Sequence, residues 1–460
     1  MLKIQFMGAA ETVTGSCYLV TTDDHKFIVD CGMFQGPDVE ARNAEPWPFN
    51  ASEVDFVLLT HAHIDHSGLL PKLTRHGFRG EIYATNRTVA ITSLLLLDSA
   101  KIQEINVREG KYIEGLSVQA SQYYDSRDAE QTITMLRSVN FHEDVIPRPG
   151  IRAEYIPAGH VLGAASIIVE VDGKRLVFSG DVGRSDNILI NSFDLDDKRD
   201  VDMVLMEALY GGEVHPSRES SVYELMTIIK DTTSRGGNVL IPAFAVERTQ
   251  ELLLDLKHAK SAGVLAPDLP VYLDSPLATR VTELYIAAMG ELKVDVPADQ
   301  PDHNPFYFPG LKVLRSSKQS QKLKKQRGSV IIAGSGMVNG GRILSHVVSH
   351  ISDPLTHLVL VGYQAEDTYG RLLSEGAKEL TVDGINVQVK GKVSHLHGFS
   401  AHGDEPDLVR WFKRYQSPRL KKVFLVHAEA NRSEAFKETL RREGYSGDII
   451  IPDWKEVDVV

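Results

Sequence analysis

Cysteine is nearly missing: Cys17 and Cys31 are the only two in 460 residues, too few for a disulfide framework or a cysteine-built zinc site. Both read as small buried residues. Long apolar runs are missing as well. The longest lies around residues 91–97, far short of the ~20 residues that span a bilayer, so no membrane segment is expected. The opening Met1-Leu2-Lys3-Ile4-Gln5-Phe6 lacks the apolar stretch and small-residue cleavage site of a secretory leader, and the cytoplasm is the expected compartment. Positive charge is in deficit: 50 Lys and Arg against 62 Asp and Glu leave −12. That balance argues against a protein that simply coats nucleic acid, though not against an enzyme with a local basic surface. With 42% hydrophobic and 24% charged residues, the remainder is that of an ordinary globular protein. The length exceeds the ~250–300 residues that one core sustains, which predicts about two domains.

No internal repeat of 20–50 residues is present, which sets aside solenoids and propellers. The pattern predicts short strands over residues 2–7, 16–21, 26–31 and 55–60, then helices over 67–75, 86–108 and 128–140. Further strands are predicted over 151–156, 165–171, 175–179 and 203–207. From about Glu219 helix and strand alternate, as in a parallel α/β domain. Strand texture returns near Ile385, and the chain closes with strand 422–426, helix 432–444 and strand 448–451. The expected organisation is an α/β fold in which a sandwich, residues 1–208 and 391–460, is split by an inserted α/β domain over 209–390.

The chemistry concentrates where strands end. Leu58-Leu59-Thr60-His61-Ala62-His63-Ile64-Asp65-His66-Ser67-Gly68 runs from an apolar strand into three histidines and an aspartate within six positions. Neutral imidazole and carboxylate are common zinc ligands. His61 and His63, two apart, can turn to one metal from a loop, with Asp65 and His66 displaced toward a second. Asp30, His160 and Asp181 each sit at or near the end of a strand pattern. Singly, each reads as a turn former or a satisfied loop histidine. Together, in this order, they read as a site.

The order Asp30, His61-x-His63-x-Asp65-His66, His160, Asp181 resembles the metallo-β-lactamase superfamily, whose fold is a four-layer αββα sandwich. The resemblance implies His61, His63 and His160 on one zinc ion, Asp65, His66 and a late histidine on another, and Asp181 bridging the two. It implies Asp30 behind the ligands, orienting them. Two metals would lower the pKa of a shared water toward ~7 and stabilise charge developing on a phosphoryl oxygen. Leu205-Met206-Glu207-Ala208-Leu209-Tyr210-Gly211, Gly398-Phe399-Ser400-Ala401-His402-Gly403-Asp404 and Val423-Phe424-Leu425-Val426-His427-Ala428-Glu429 resemble the added motifs of the β-CASP nucleases, a group with an inserted parallel α/β domain. That resemblance implies His427 as the late metal ligand and His402 as general acid, supported by Glu207. His402, Glu207, Asp30, Asp65 and Asp181 are then the catalytic set. Ala208 and Leu209 depart from the small hydroxyl residues usual after the acid, which puts local packing and a hydroxyl contact to substrate in doubt. His395 and His397 read as ordinary loop histidines.

The expected activity is a zinc-dependent ribonuclease cutting phosphodiester bonds of single-stranded RNA, endonucleolytically, 5′→3′ exonucleolytically or both. A single-stranded substrate is expected between sandwich and insert. Ser335 and Gly336, in the glycine-rich Gly334-Ser335-Gly336-Met337-Val338-Asn339-Gly340-Gly341-Arg342, suit phosphate through exposed backbone N–H groups. Ser400 is read as holding the scissile phosphate and Arg248 as contacting a neighbouring one. Arg315, Lys318, Lys322, Lys324, Lys325 and Arg327 form an acid-free run that reads equally as a solvated helix face or an RNA track. The rivals are a small-molecule hydrolase of the same superfamily, a DNA-acting β-CASP nuclease and an inactive scaffold. His427 in the last motif favours RNA, and the complete ligand set favours an active enzyme. A homodimer or partners in a processing complex are also consistent with the resemblance.

Overall fold

The computed structural model describes residues 1–35, 40–110, 122–193, 198–294 and 304–459. The chain divides into two compact units: residues 1–187, 192–214 and 402–460 form the first, and 188–191 with 215–401 the second.

In the first unit the N-terminal strands are β1 (Lys3–Gly8), β2 (Cys17–Thr21), β3 (Lys26–Val29), β4 (Phe56–Leu58), β5 (Glu81–Thr85) and β6 (Leu136–Val139). They are followed by β7 (Asp144–Arg148), β8 (Ile151–Pro157), β9 (Ala165–Val171), β10 (Lys174–Phe178) and β11 (Met203–Glu207). The second unit contributes β12 (Val239–Pro242), β13 (Val271–Leu273), β14 (Leu311–Val313), β15 (Val330–Ala333), β16 (His357–Leu360), the hairpin β17 (Glu379–Val382) and β18 (Ile385–Gln388), and β19 (Lys392–His395). The chain then returns to the first unit with β20 (Lys422–Val426), β21 (Asp448–Ile450) and β22 (Val457–Val459).

Two seven-stranded sheets make the first unit, in the orders β22-β1-β2-β3-β4-β5-β6 and β21-β20-β11-β10-β9-β8-β7. Their inner faces share one core. Phe6, Tyr18, Phe27 and Phe56 from one sheet pack with Tyr155, Ile167, Phe178 and Phe424 from the other. Helices cover both outer faces, Leu70, Leu73 and Leu96 against the first sheet and Leu408, Trp411 and Phe436 against the second. The result is the expected αββα sandwich. Within each sheet a block of strands is parallel, β3 through β6 and β10, β11, β20 and β21. Parallel strands bring their carboxyl ends to one edge, and the candidate ligands other than His160, which follows the antiparallel β8, leave from such ends.

The second unit is built on a six-stranded sheet ordered β14-β13-β15-β12-β16-β19, parallel throughout. Its central strands Val-Leu-Ile-Pro and Val-Ile-Ile-Ala are buried at every position, as strands covered on both faces must be. The pairing of β19 with β16 places residues 391–401 in this unit, past the boundary expected at 390. Ile188–Asn191 joins it through the Ile190–Leu292 bridge and the bond from Lys293 N to Leu189 O.

Two local expectations are corrected. The helix expected over 128–140 runs Ser126–Met135 and gives way to β6, because Leu136–Val139 pairs in parallel with β5. The helix expected over 67–75 is two short pieces, Ile64–Ser67 and Leu70–Arg75. No helix among the described residues is long and apolar enough to cross a membrane.

One buried cation ties the second unit together. Lys260 Nζ donates to the carbonyls of Pro267, Leu269 and Pro309 at 2.7–3.0 Å. Burial pulls the ammonium below its usual pKa, and the three carbonyls replace the lost water. Lys260→Met leaves those acceptors without their donor and is expected to cost about 1–3 kcal/mol. Thermal denaturation of the full chain would register this as a lowered midpoint, whereas an unchanged midpoint would show that the carbonyls find other partners.

Candidate metal centre

Every expected ligand lies in the first unit at the carboxyl end of a strand: Asp30 after β3, His61–His66 after β4, His160 after β8, Asp181 after β10 and His427 after β20. Two of these residues leave their strands on left-handed backbone, Asp30 at φ 56° and His427 at φ 53°. A non-glycine residue in that region costs on the order of 1–3 kcal/mol and persists where surrounding contacts over-determine it. Those contacts are present. Asp30 N donates to Leu58 O at 2.9 Å, and His427 N to Ala9 O at 2.8 Å. Two glycines allow the loops to close on one another. A Cβ on Gly32 would lie 1.7 Å from Asp65 O, and one on Gly183 1.7 Å from Gly159 O.

The side chains converge in two groups around one carboxylate. In the first, His61 Nε2 and His160 Nε2 lie 3.1 and 3.2 Å from His63 Nδ1. They lie 3.3 and 3.4 Å from Asp181 Oδ2. A tetrahedral centre with bonds of ~2.0–2.1 Å spaces its ligand atoms about 3.3 Å apart, and these four separations lie close to that value. In the second group His66 Nε2 lies 3.1 Å from the other oxygen of Asp181, Oδ1. His427 Nε2 lies 3.4 Å from Asp65 Oδ2 and 3.6 Å from Asp181 Oδ1. Asp181 Oδ1, His63 Nε2 and His427 Nδ1 are buried without a hydrogen-bond partner. The donor set and its spacing fit divalent cations.

Asp30 stands behind this set. It accepts from Thr60 N at 2.7 Å, Thr60 Oγ1 at 2.8 Å and His66 Nδ1 at 2.8 Å, which fixes the His66 ring with Nε2 toward Asp181. Sequence reasoning passed over Thr60 and over Ser16, whose hydroxyl lies 3.3 Å from His66 Nε2. Thr60 carried a signal in its place between the strand and the first histidine.

Protonation follows from burial and charge. Burial and neighbouring imidazoles hold His61 and His160 below the usual histidine range, and His63 at about 3. These three are neutral at pH 7, the form that binds a cation. Burial also works against the charged form of His66, but Asp181 and Asp30 outweigh it and raise this histidine well above its usual value. Burial would raise Asp181, yet the facing imidazoles lower it, and Asp65 is likewise lowered by His427 and His66. A proton on His66 thus fills part of the role of a cation.

His402 completes the first-unit site. It is bridged to Gly183, and Gly403 N donates to Val182 O at 2.8 Å. Its Nδ1 lies 3.1 and 3.2 Å from the oxygens of Glu207, and its Nε2 lies 3.9 Å from Asp181 Oδ2. Glu207 ends β11, is fully buried and also accepts from Val182 N at 2.5 Å. Burial alone would lower His402, but Glu207 and then Asp181 raise it to about 9. Ala208 and Leu209 do not disturb this pair.

The expected phosphate contacts fall in the second unit. Ser335 Oγ is buried without a hydrogen-bond partner. Gly336 packs on Phe244, whose ring a Cβ there would meet at 2.6 Å. Ser400 is buried after the short turn His397–Phe399. Arg248 is 4% exposed, hydrogen-bonded to Glu251 and near the Phe399 ring. His395 Nε2 donates to Gly362 O at 2.9 Å, and Cys17 and Cys31 are buried free thiols.

Comparison with known proteins covers the chain in three pieces. Residues 10–226 match the model of the Metallo-beta-lactamase superfamily, 249–373 that of the Beta-Casp domain, and 386–452 that of the Zn-dependent metallo-hydrolase RNA specificity domain. Ribonuclease TTHA0252 of Thermus thermophilus is 36% identical over 445 residues, covering 96% of this chain and 97% of that protein. Transcription termination factor FttA of Methanosarcina mazei is 32% identical, over 93% of this chain and 67% of its own. The RNase J-like protein of Methanocaldococcus jannaschii is 31% identical, over 96% of both.

Because a proton on His66 occupies the place of a cation, loading with divalent metal at pH 7 is expected to release protons. Calorimetric titration in buffers of different ionisation enthalpy would count them. Apparent affinity should weaken about tenfold per pH unit for each proton displaced as pH falls through neutrality. A pH-independent affinity would show that His66 is not titrated by binding.

Proposed function

The chain belongs to the β-CASP group of the metallo-β-lactamase superfamily, and from that premise we propose a two-zinc ribonuclease that hydrolyses phosphodiester bonds of single-stranded RNA. Imidazole and carboxylate donors at near-tetrahedral spacing suit zinc. His61, His63 and His160 would hold one ion, and Asp65, His66 and His427 the other, with one oxygen of Asp181 turned to each group. Such ions supply the Lewis acidity that makes hydroxide available near neutral pH and offsets charge developing on a phosphoryl oxygen.

The remaining chemistry belongs to side chains. Asp30 and Thr60 hold His66 in register. His402 is the general acid. Its Nδ1 is engaged by Glu207, which leaves the Nε2 proton for the departing ribose oxygen. A leaving alkoxide needs that proton, and a positioned acid is worth ~10²–10⁴-fold. The observation that carries the reading is this pairing of a buried Glu207 with His402 beside the Asp181-centred groups, since a site built only to hold metal has no use for it. RNA as substrate is supported by the similarity to a ribonuclease and by the match to the RNA specificity domain. Ser335, Gly336 and Ser400 are proposed as substrate contacts in the second unit.

Incubation of zinc-loaded protein with end-labelled single-stranded RNA and DNA of matched sequence tests the proposal. Cleavage of RNA is expected, with product lengths from each labelled end reporting endo- or exonucleolytic action. Asp181→Ala is expected to abolish it together with metal content. Cleavage of DNA alone, or unimpaired RNA cleavage by Asp181→Ala, would refute it.

His402 must be protonated to act, and Glu207, bonded to its Nδ1, raises its pKa so that the proton stays on through neutrality and is released on the alkaline side. Activity should therefore fall on the alkaline side. His402→Ala is expected to lower kcat by ~10²–10⁴-fold with zinc content unchanged. Glu207→Gln removes the leading cause that raises His402 and should move the alkaline limb to lower pH. A limb that stays in place in Glu207→Gln would assign it to another group.

A further inference from the structure

The second unit carries a run of positive charge whose members, unlike the paired Arg410, Lys413, Arg419 and Lys422 of the first unit, have little acid beside them. The protein has net charge −12, yet residues 303–352 contain no aspartate or glutamate. Within that span Arg315, Lys318, Lys322, Lys324 and Lys325 are all exposed. They lie on a short continuous stretch of structure: the turn after β14, the helix Ser317–Lys322 and the 3-10 turn Leu323–Lys325. The stretch is held in one conformation. Ser316 and Gln319 form a reciprocal cap at the helix start, and Ser320 Oγ donates to the buried Asp274 at 2.5 Å. Arg342 and His346 also bond Asp274, so the negative charge available nearby is consumed inside the unit. Arg327, at the end of the run, pairs with Asp353 at 2.7 Å. Among the described residues the other five make no ion pair.

Lysine on an exposed strand edge guards against edge-to-edge pairing, and that accounts for Lys312 on the edge strand β14. It does not account for five further cations beyond the strand, which repel one another and have no ion pair among the described residues. Like charges clustered on a fixed scaffold are stabilised by a polyanion, which releases its condensed counterions on binding. In a protein whose overall charge repels nucleic acid, a local basic face also supplies attraction for encounter.

We infer that the exposed basic face formed by Arg315, Lys318, Lys322, Lys324 and Lys325 is a docking surface for the sugar–phosphate backbone of single-stranded RNA, separate from the residues that hold metal. The inference rests on the reading of the protein as a ribonuclease. The contacts are to phosphates, so the surface raises affinity for RNA of any sequence and carries no base specificity.

The test uses the full chain in an Asp181→Ala background, so that bound RNA is not cut. Binding of a long single-stranded RNA is measured against salt concentration. It is repeated with Lys318, Lys322, Lys324 and Lys325 all changed to Gln. A control variant with Lys101, Lys230, Lys378 and Lys390 changed to Gln makes the same change in net charge at exposed positions elsewhere. The patch variant is expected to lose up to ~3 from the slope of log Kd against log salt, at ~0.7 per phosphate contact on a single strand. It should bind at least about tenfold more weakly at 0.1 M salt, with its thermal midpoint unchanged. The control is expected to keep the parental slope. Equal slopes in patch and parental proteins, or equal losses in patch and control, would overturn the surface while leaving RNA cleavage by the metal-loaded wild type intact. Failure of the wild type to cleave RNA and of the Asp181→Ala protein to bind it would overturn both readings.

Discussion

The candidate site depends on one buried carboxylate shared between two groups of ligands. Asp181 turns Oδ2 to His61 and His160 and Oδ1 to His66 and His427. With Asp30, Asp65 and Glu207 it concentrates negative charge in a region almost closed to water. Buried charge is tolerated only when it is paired. Protons on His66 and His402 provide part of the pairing, and the three neutral imidazoles of the other group provide none. Divalent cations relieve what is left, and the spacing of the donors is already that of a bound ion. Cation binding and the integrity of this end of the sandwich are therefore linked.

The two sheets make that convergence possible. Had β3 and β4, or β10, β11 and β20, run antiparallel, alternate strands would have sent their loops to the opposite end. Parallel pairing sends Asp30, the His61–His66 loop, Asp181, Glu207 and His427 to one edge from widely separated points in the chain. The left-handed turns at Asp30 and His427 then aim side chains that a straight strand would have carried past the site. The close approach of Gly32 to Asp65 locks the two loops of the first sheet together.

These relations decide what could be read from the sequence. His61, His63, Asp65 and His66 were legible because ligand and strand-to-helix context lie in one short segment. Asp30, Asp181 and His427 were legible because each ends an apolar run. The roles of Thr60 and Ser16 were not, since they depend on contacts with the distant Asp30 and His66. Leu136–Val139 continues a helical pattern and becomes a strand only because β5 lies beside it. The extent of the second unit was hidden for a related reason, since β19 shows its allegiance only by pairing with β16.

The His402–Glu207 pair also answers a difficulty created by the metal ligands. Cations bound among them would cancel the charge of Asp181 and Asp65, two of the groups that hold a proton on His402. A histidine in that position with no other anion would lose its proton in the state where it is needed. Glu207 bonds Nδ1 directly and is anchored by Val182 N, on a strand neighbouring the one that presents Asp181. Its hydrogen bond to His402 is therefore independent of what occupies the ligand groups. Glu207 thus separates two demands that a shared set of carboxylates could not meet together, holding divalent metal and keeping an acid protonated next to it.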